Sequence, residues 1–187
     1  MEKNRRAISF SSLIIWISTW FILLAVPGGR LAAQAISIQK VEPFTYFCLP
    51  NKGPFSKLPE AIGKLMEESR YQNVVPQGPL MAIYHNAPGE VEPEELIWEI
   101  GFPVTPHALV QPPLEQKIWN FTEVATCLHV GPYEKSGETI AKMMEWLETN
   151  GYVPVGPILE RYLDMNPQDL KPEDLRTEIW IPCQKKV

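Results

Sequence analysis

The chain has 187 residues, of which 45% are hydrophobic and 21% charged. That balance excludes wholesale disorder and suits one domain, or two small halves sharing a core. A formal charge of −5 argues against a nucleic-acid partner, and three Cys are too few for a disulfide-built scaffold.

Residues 1–35 read as an address. Lys3, Arg5 and Arg6 precede the apolar run Leu13 to Val26, followed by Pro27-Gly28-Gly29 and a small-residue site, Ala33-Gln34-Ala35. This order predicts a secretory signal cut after Ala35. Left uncut, residues 8–26 would anchor the chain in a membrane. Both versions send the remainder outward, to an extracytoplasmic location. Without residues 1–35, which hold Lys3, Arg5, Arg6, Arg30 and Glu2, the chain keeps 13 basic and 21 acidic side chains, a net charge of −8. An acidic exterior repels nucleic acid and suits cationic small ligands.

The remainder, residues 36–187, is one motif written twice. Shifted by 78, residues 53–86 fall on 131–164 with 13 identities in 34 positions. Gly53-Pro54 meets Gly131-Pro132, Gly78-Pro79 meets Gly156-Pro157, and Tyr84 meets Tyr162. One inserted residue later, Glu99-Ile100 meets Glu178-Ile179 at a shift of 79. The half repeats span about 41–104 and 122–185, joined by a proline-rich linker over 105–121 with room for an additional strand.

In chain order, each half predicts strand, turn, helix, turn, strand, loop and strand. The runs 44–49 and 123–130 are β-rich and end at Gly-Pro. Leu58, Ala61, Ile62, Leu65 and Met66 recur at helical spacing, as do Ile140, Met143, Met144 and Leu147. The methionines of this stripe are assigned to the core. Pro59 fits only a first helical turn, so that helix should start near Ser56, and Asn73 and Gly151 suit left-handed C-caps. Neither half can bury a helix and three strands alone. The expected fold is therefore α+β: duplicated strand-helix-strand-strand halves forming one curved antiparallel sheet with two helices on one face. The opposite, curved face is then expected to hold a ligand.

Strand alternation sorts the candidate site residues. Ile179 and Ile181 should pack on the helices, leaving Arg176, Glu178 and Trp180 on the other face. Ile100 and Phe102 likewise leave Glu99 and Gly101 opposite. Gly101 stands where Trp180 stands, which predicts open space on one side of the cleft. Glu160, Tyr162 and Asp164 share a face, and Tyr84 repeats Tyr162. A carboxylate among aromatic rings either pairs with a cationic ligand or, desolvated, serves as general acid or base. Glu178 and Glu99 also have a structural reading, as acceptors of backbone or Arg hydrogen bonds. Tyr133 has a packing reading beside a pocket one. His85, His107 and His129 show no metal-ligand spacing, and neither a metal nor a cofactor is expected. An oxidising compartment would allow one pair among Cys48, Cys127 and Cys183, and three buried thiols are an equal reading.

These residues resemble the GyrI-like small-molecule-binding family, also called the bacterial transcription-activator effector-binding domain. The second half carries the likeness: Leu128-His129-Val130-Gly131-Pro132-Tyr133, the Trp146-bearing helix, Gly156-Pro157-Ile158-Leu159-Glu160-Arg161-Tyr162-Leu163, and Thr177-Glu178-Ile179-Trp180-Ile181-Pro182. The resemblance implies a ligand groove between the halves and a reading carboxylate in the last strand, at Glu178, among Trp180, Tyr133 and Tyr162. Tyr84 and Glu99 complete the candidate set by repeat equivalence. Many relatives sit behind a DNA-binding helix-turn-helix, whereas residues before 40 here read as an export signal, so a direct transcription role is not expected. Three functions follow. The first is an exported protein that binds a small organic ligand, cationic ones included. The second is a hydrolase of strained electrophiles, with Glu178 and Tyr133 as its candidate catalytic residues. The third is a protein-interaction module whose groove is filled by its own side chains.

Overall fold

A computed structural model describes residues 35–186; the segment read as a signal or anchor, apart from Ala35, lies outside them. Nine strands and two helices follow in order: β1 (Ser37–Lys40), β2 (Phe44–Lys52), α1 (Leu58–Tyr71), β3 (Leu80–Tyr84), β4 (Ile97–Pro103), β5 (Glu115–Trp119), β6 (Glu123–Val130), α2 (Ser136–Thr149), β7 (Tyr152–Pro154), β8 (Ile158–Tyr162) and β9 (Arg176–Lys185). Every strand pairing is antiparallel, in the order β1-β6-β9-β8-β3-β4-β2-β5, with the short β7 beside β9. The expected α+β architecture is the one observed. β5 is the additional strand for which the 105–121 stretch had room.

The two halves meet where β3 pairs with β8. Ala82 lies opposite Glu160, and the register runs outward symmetrically to Leu80↔Tyr162 and Tyr84↔Ile158. Because the repeat shift is also 78, Ala82 and Glu160 are each other's counterparts. An approximate two-fold axis passes between them.

The helices form where the apolar stripes required them. Pro59 falls in the first turn of α1, where its missing N–H breaks no hydrogen bond. A short 3-10 turn, Phe55–Lys57, precedes α1, which therefore starts two residues after the expected Ser56. Asn73 and Gly151 end the helices with positive φ, 54° and 75°. α1 packs on β2 and β4; α2 packs on β6, β7 and β9. Each helix thus covers the outer strands of its own half.

The sheet separates three cores. On the helix face, Phe47, Leu49, Leu65, Trp98 and Ile100 pack in the first half. Ala125, Met143, Leu147, Ile179 and Ile181 pack in the second. Ile100, Phe102, Ile179 and Ile181 point as alternation required. On the other face, Tyr46, Met81, Ile83, Trp119, Leu159 and Trp180 are buried together, with Phe44 and Phe121 over them. The sheet closes on its own side chains there.

Two expectations are corrected by this arrangement. The face away from the helices is filled rather than open. There is also no space beside Gly101, because β2 runs so close that a Cβ at this position would sit 2.1 Å from the Phe47 carbonyl oxygen. Glycine in a strand marks a close backbone approach here. Cys48 belongs to the filled face and Cys127 and Cys183 to the α2 core. All three are buried and none forms a disulfide. Cys48 and Cys127 are offset by one residue in the repeat, and a one-residue offset in a strand reverses the face.

Candidate functional site

The apolar stripe of each helix divides. In α1, Ala61 and Leu65 are buried, while Leu58, Ile62 and Met66 turn toward the middle of the sheet. In α2, Met143 and Leu147 are buried, while Ile140 and Met144 face the same space. The result is a groove of about 2050 Å³ between the helices, floored by β3 and β8. Met66 and Met144 line it, which corrects their assignment to the core; Met144 is 40% exposed. Met is unbranched and polarizable, and adapts to ligands of varied shape.

The polar centre of the floor is Glu160, 3% exposed. Tyr162 donates a hydrogen bond to its Oε2 at 2.9 Å and Tyr84 donates one at 3.2 Å. The two hydroxyls are 3.2 Å apart. Phe55 stands edge-on to Tyr84 at 4.9 Å between ring centroids, and Tyr133 stands edge-on to Tyr162 at 5.1 Å. These pairs are repeat equivalents, so an aromatic wall rises on each side of one carboxyl group. Among the described residues no Lys, Arg or His forms an ion pair with Glu160. Burial, followed by neighbouring negative charge, raises the Tyr84 and Tyr133 hydroxyl pKa values. Burial, then coupling to Tyr84 and Glu160, raises that of Tyr162 well above its ordinary value. All three are held as neutral O–H donors. The arrangement can attract a cation, stack rings on either side of it and donate hydrogen bonds.

The sequence-derived candidates divide between the two faces. Tyr84, Tyr133 and Tyr162 line the groove. Glu178 and Trp180 do not: Glu178 is ion-paired with Arg161, whose guanidinium also lies 4.7 Å from the Trp180 ring. Glu99 is likewise on the filled face. It accepts a hydrogen bond from Tyr46 at 3.0 Å and from Lys117 at 2.8 Å, with His85 Nε2 2.8 Å away. Burial pushes the Glu99 carboxyl up, but the His85 and Lys117 hydrogen bonds and the Lys117 charge outweigh it and bring the pKa down to about 2. Burial acts against the Lys117 charge, but its hydrogen bonds to Glu99 and Glu115 win and raise its pKa. Glu178 and Tyr133 are therefore on different faces and do not form an acid–base pair. Glu160, absent from the sequence-derived site, is the buried carboxyl group on the groove floor that has no ion pair among the described residues; Glu90, Glu134 and the Arg176-paired Asp164 also line the groove. Its signal was present: alternation puts it on one face with Tyr162, at a position where the otherwise matching repeat has Ala82.

His129 is structural. Its Nδ1 lies 2.8 Å from the Thr139 hydroxyl and its Nε2 lies 3.1 Å from the Pro132 carbonyl, which ties β6 to the start of α2. Among the described residues no cluster of His, Cys, Asp and Glu could hold a metal ion, and no helix is long and apolar enough to cross a membrane.

A model of the GyrI-like small molecule binding domain matches residues 34–184. The chain belongs to this family. Solved structures agree on the fold of this GyrI-like protein. EcmrR, in its DNA complex, superposes with a TM-score of 0.73 at 18% identity over 84% of this chain. The chain spans 60% of the length of EcmrR in that complex. A hydrolase from Listeria innocua gives 0.59 at 15% identity, covering 81% of this chain and 93% of that one. SAV2435, bound to tetraphenylphosphonium, gives 0.59 at 10% identity, covering 80% and 94%. No curated protein matches the chain. Because a relative of this fold occurs in a DNA complex, the charge-based exclusion of nucleic acid has no support from these likenesses.

Proposed function

We propose that this GyrI-like protein binds a lipophilic organic cation in the groove between α1 and α2, with Glu160 as the counter-charge. The observation that carries this reading is a 3%-exposed carboxyl group, without a cationic partner among the described residues, at the centre of an aromatic and methionine-lined groove. A carboxylate there is desolvated, and a cation bearing its own apolar shell restores the charge balance without a new desolvation cost from water-loving groups. The aromatic walls add cation–π attraction. SAV2435 shares the fold and is bound to such a cation, which supports the choice of ligand class.

Calorimetric titration with tetraphenylphosphonium and with neutral triphenylphosphine oxide tests the reading. The cation should bind about tenfold or more tightly than the neutral compound. Equal affinity would remove Glu160 from recognition.

A second reading is supported by the Glu160–Tyr84–Tyr162 arrangement and by the likeness to a hydrolase. Here a tyrosine hydroxyl donates to a strained electrophile and Glu160 directs water. Product analysis with epoxide and cyclopropane electrophiles tests it; turnover abolished by Glu160→Gln supports it, and no turnover rejects it. Export belongs to the proposal as well. N-terminal sequencing of the protein from a cell fraction outside the cytoplasm should begin at Ile36; a cytoplasmic chain retaining Met1 rejects both cleavage and export.

A further inference from the structure

The groove is symmetric in backbone but not in chemistry. Repeat equivalence pairs Phe55 with Tyr133, Leu58 with Ser136 and Pro59 with Gly137, and all six line it. Behind them the walls match: Ile62 with Ile140 and Met66 with Met144. One difference lies at the start of each helix, next to the aromatic pair; Ser56 with Glu134, His85 with Leu163 and Asn86 with Asp164 are further unlike pairs on the lining. In the first half the positions of Phe55, Leu58 and Pro59 are apolar and bulky. In the second they carry two hydroxyls and a glycine. A Cβ at Gly137 would meet nothing within 4 Å. Neither the Tyr133 nor the Ser136 hydroxyl has a hydrogen-bond partner among the described residues.

We propose that the groove reads a two-winged, dissymmetric monocation: its charge on Glu160, an apolar aryl arm against Phe55 and Leu58, and a hydrogen-bonding aryl arm against the hydroxyls of Tyr133 and Ser136. This rests on the cation reading above and adds orientation to it. Glu160 lies beside the approximate two-fold axis, is hydrogen-bonded to one tyrosine of each half, and does not itself distinguish the two ends of a ligand. The wings do. The groove's volume, about 2050 Å³, is roughly twice the upper end for a drug-sized pocket, about 1,000 Å³, which leaves room for both arms. Tyr133 and Ser136 thereby act as specificity determinants.

The test compares two phosphonium cations of equal charge, tetraphenylphosphonium and (3-hydroxyphenyl)triphenylphosphonium, by calorimetry. One neutral hydrogen bond is worth about threefold to tenfold in affinity. The wild-type protein should prefer the hydroxylated cation by that factor. The preference ratio should fall to about one in Tyr133→Phe/Ser136→Ala, and rise or persist in Phe55→Tyr, which adds a hydroxyl on the other wing. Equal affinity of the two cations for the wild type overturns the inference while leaving the cation reading intact. A preference that persists in Tyr133→Phe/Ser136→Ala overturns it as well. Binding of neither cation overturns the cation reading, and this inference with it.

Discussion

Ala82 and Glu160 lie directly opposite each other in the β3–β8 pair, and each is the other's counterpart in the sequence repeat. Two-fold duplication would place two identical side chains on this axis. The chain places one carboxyl group and one methyl group there. A second carboxylate would meet the first at cross-strand distance, where like charges repel. Ala82→Glu should therefore lower the melting temperature at neutral pH, by the equivalent of about 1 kcal/mol or more. The deficit should shrink as pH falls, because protonating either carboxylate removes the repulsion. Thermal melts between pH 7 and pH 4 check this.

The tyrosines supply the hydrogen bonds of Glu160. Tyr84→Phe and Tyr162→Phe should each cost about 1 kcal/mol in chemical denaturation. The double variant should cost more than the sum, because it leaves a buried carboxyl group without either donor. Additive losses would show that Glu160 finds another partner.

Glu99 makes an acid-stability prediction. Its folded-state pKa is about 2, below the ordinary 4.5. A depressed carboxyl pKa contributes stability that is present above pH 4.5 and is lost as pH falls toward 2. The linked contribution is on the order of 3 kcal/mol. Glu99→Gln should flatten the acid limb of the stability curve in that window, and should destabilise at pH 7 by removing the buried negative charge that pairs with Lys117.

Two glycines should respond oppositely to alanine. Gly101→Ala forces a Cβ into the β2 backbone, 2.1 Å from an oxygen, and should prevent native β2–β4 pairing. Gly63→Ala, within α1 and with nothing within 4 Å of its Cβ, should stabilise by about 0.5–1 kcal/mol. Circular dichroism melts separate the two.

Much of this fold was legible in the sequence. The 78-residue shift located both helices, and alternation assigned Ile100, Phe102, Ile179 and Ile181 to the helix face. The groove was less legible. Periodicity reports which residues of α1 and α2 are apolar, but not that Leu58, Ile62 and Met144 face empty space while Leu65 and Met143 face the sheet. That depends on the helices resting over the outer strands, a tertiary outcome. Glu178 resembled a ligand-reading residue because it stands among aromatic residues in the last strand. Its own neighbour Arg161, across the β8–β9 pair, takes up its charge. Glu160 matched no residue in the other half, and that broken match was the informative feature.

In the proposed site Glu160, rather than Glu178, faces the ligand. Titrating tetraphenylphosphonium into the wild type, Glu160→Gln and Glu178→Gln tests it most directly, with melting curves to verify folding. Glu160→Gln should weaken binding about tenfold or more, and Glu178→Gln should leave it within about twofold. Loss of binding in Glu178→Gln, with Glu160→Gln unaffected, would move the site to the other face of the sheet.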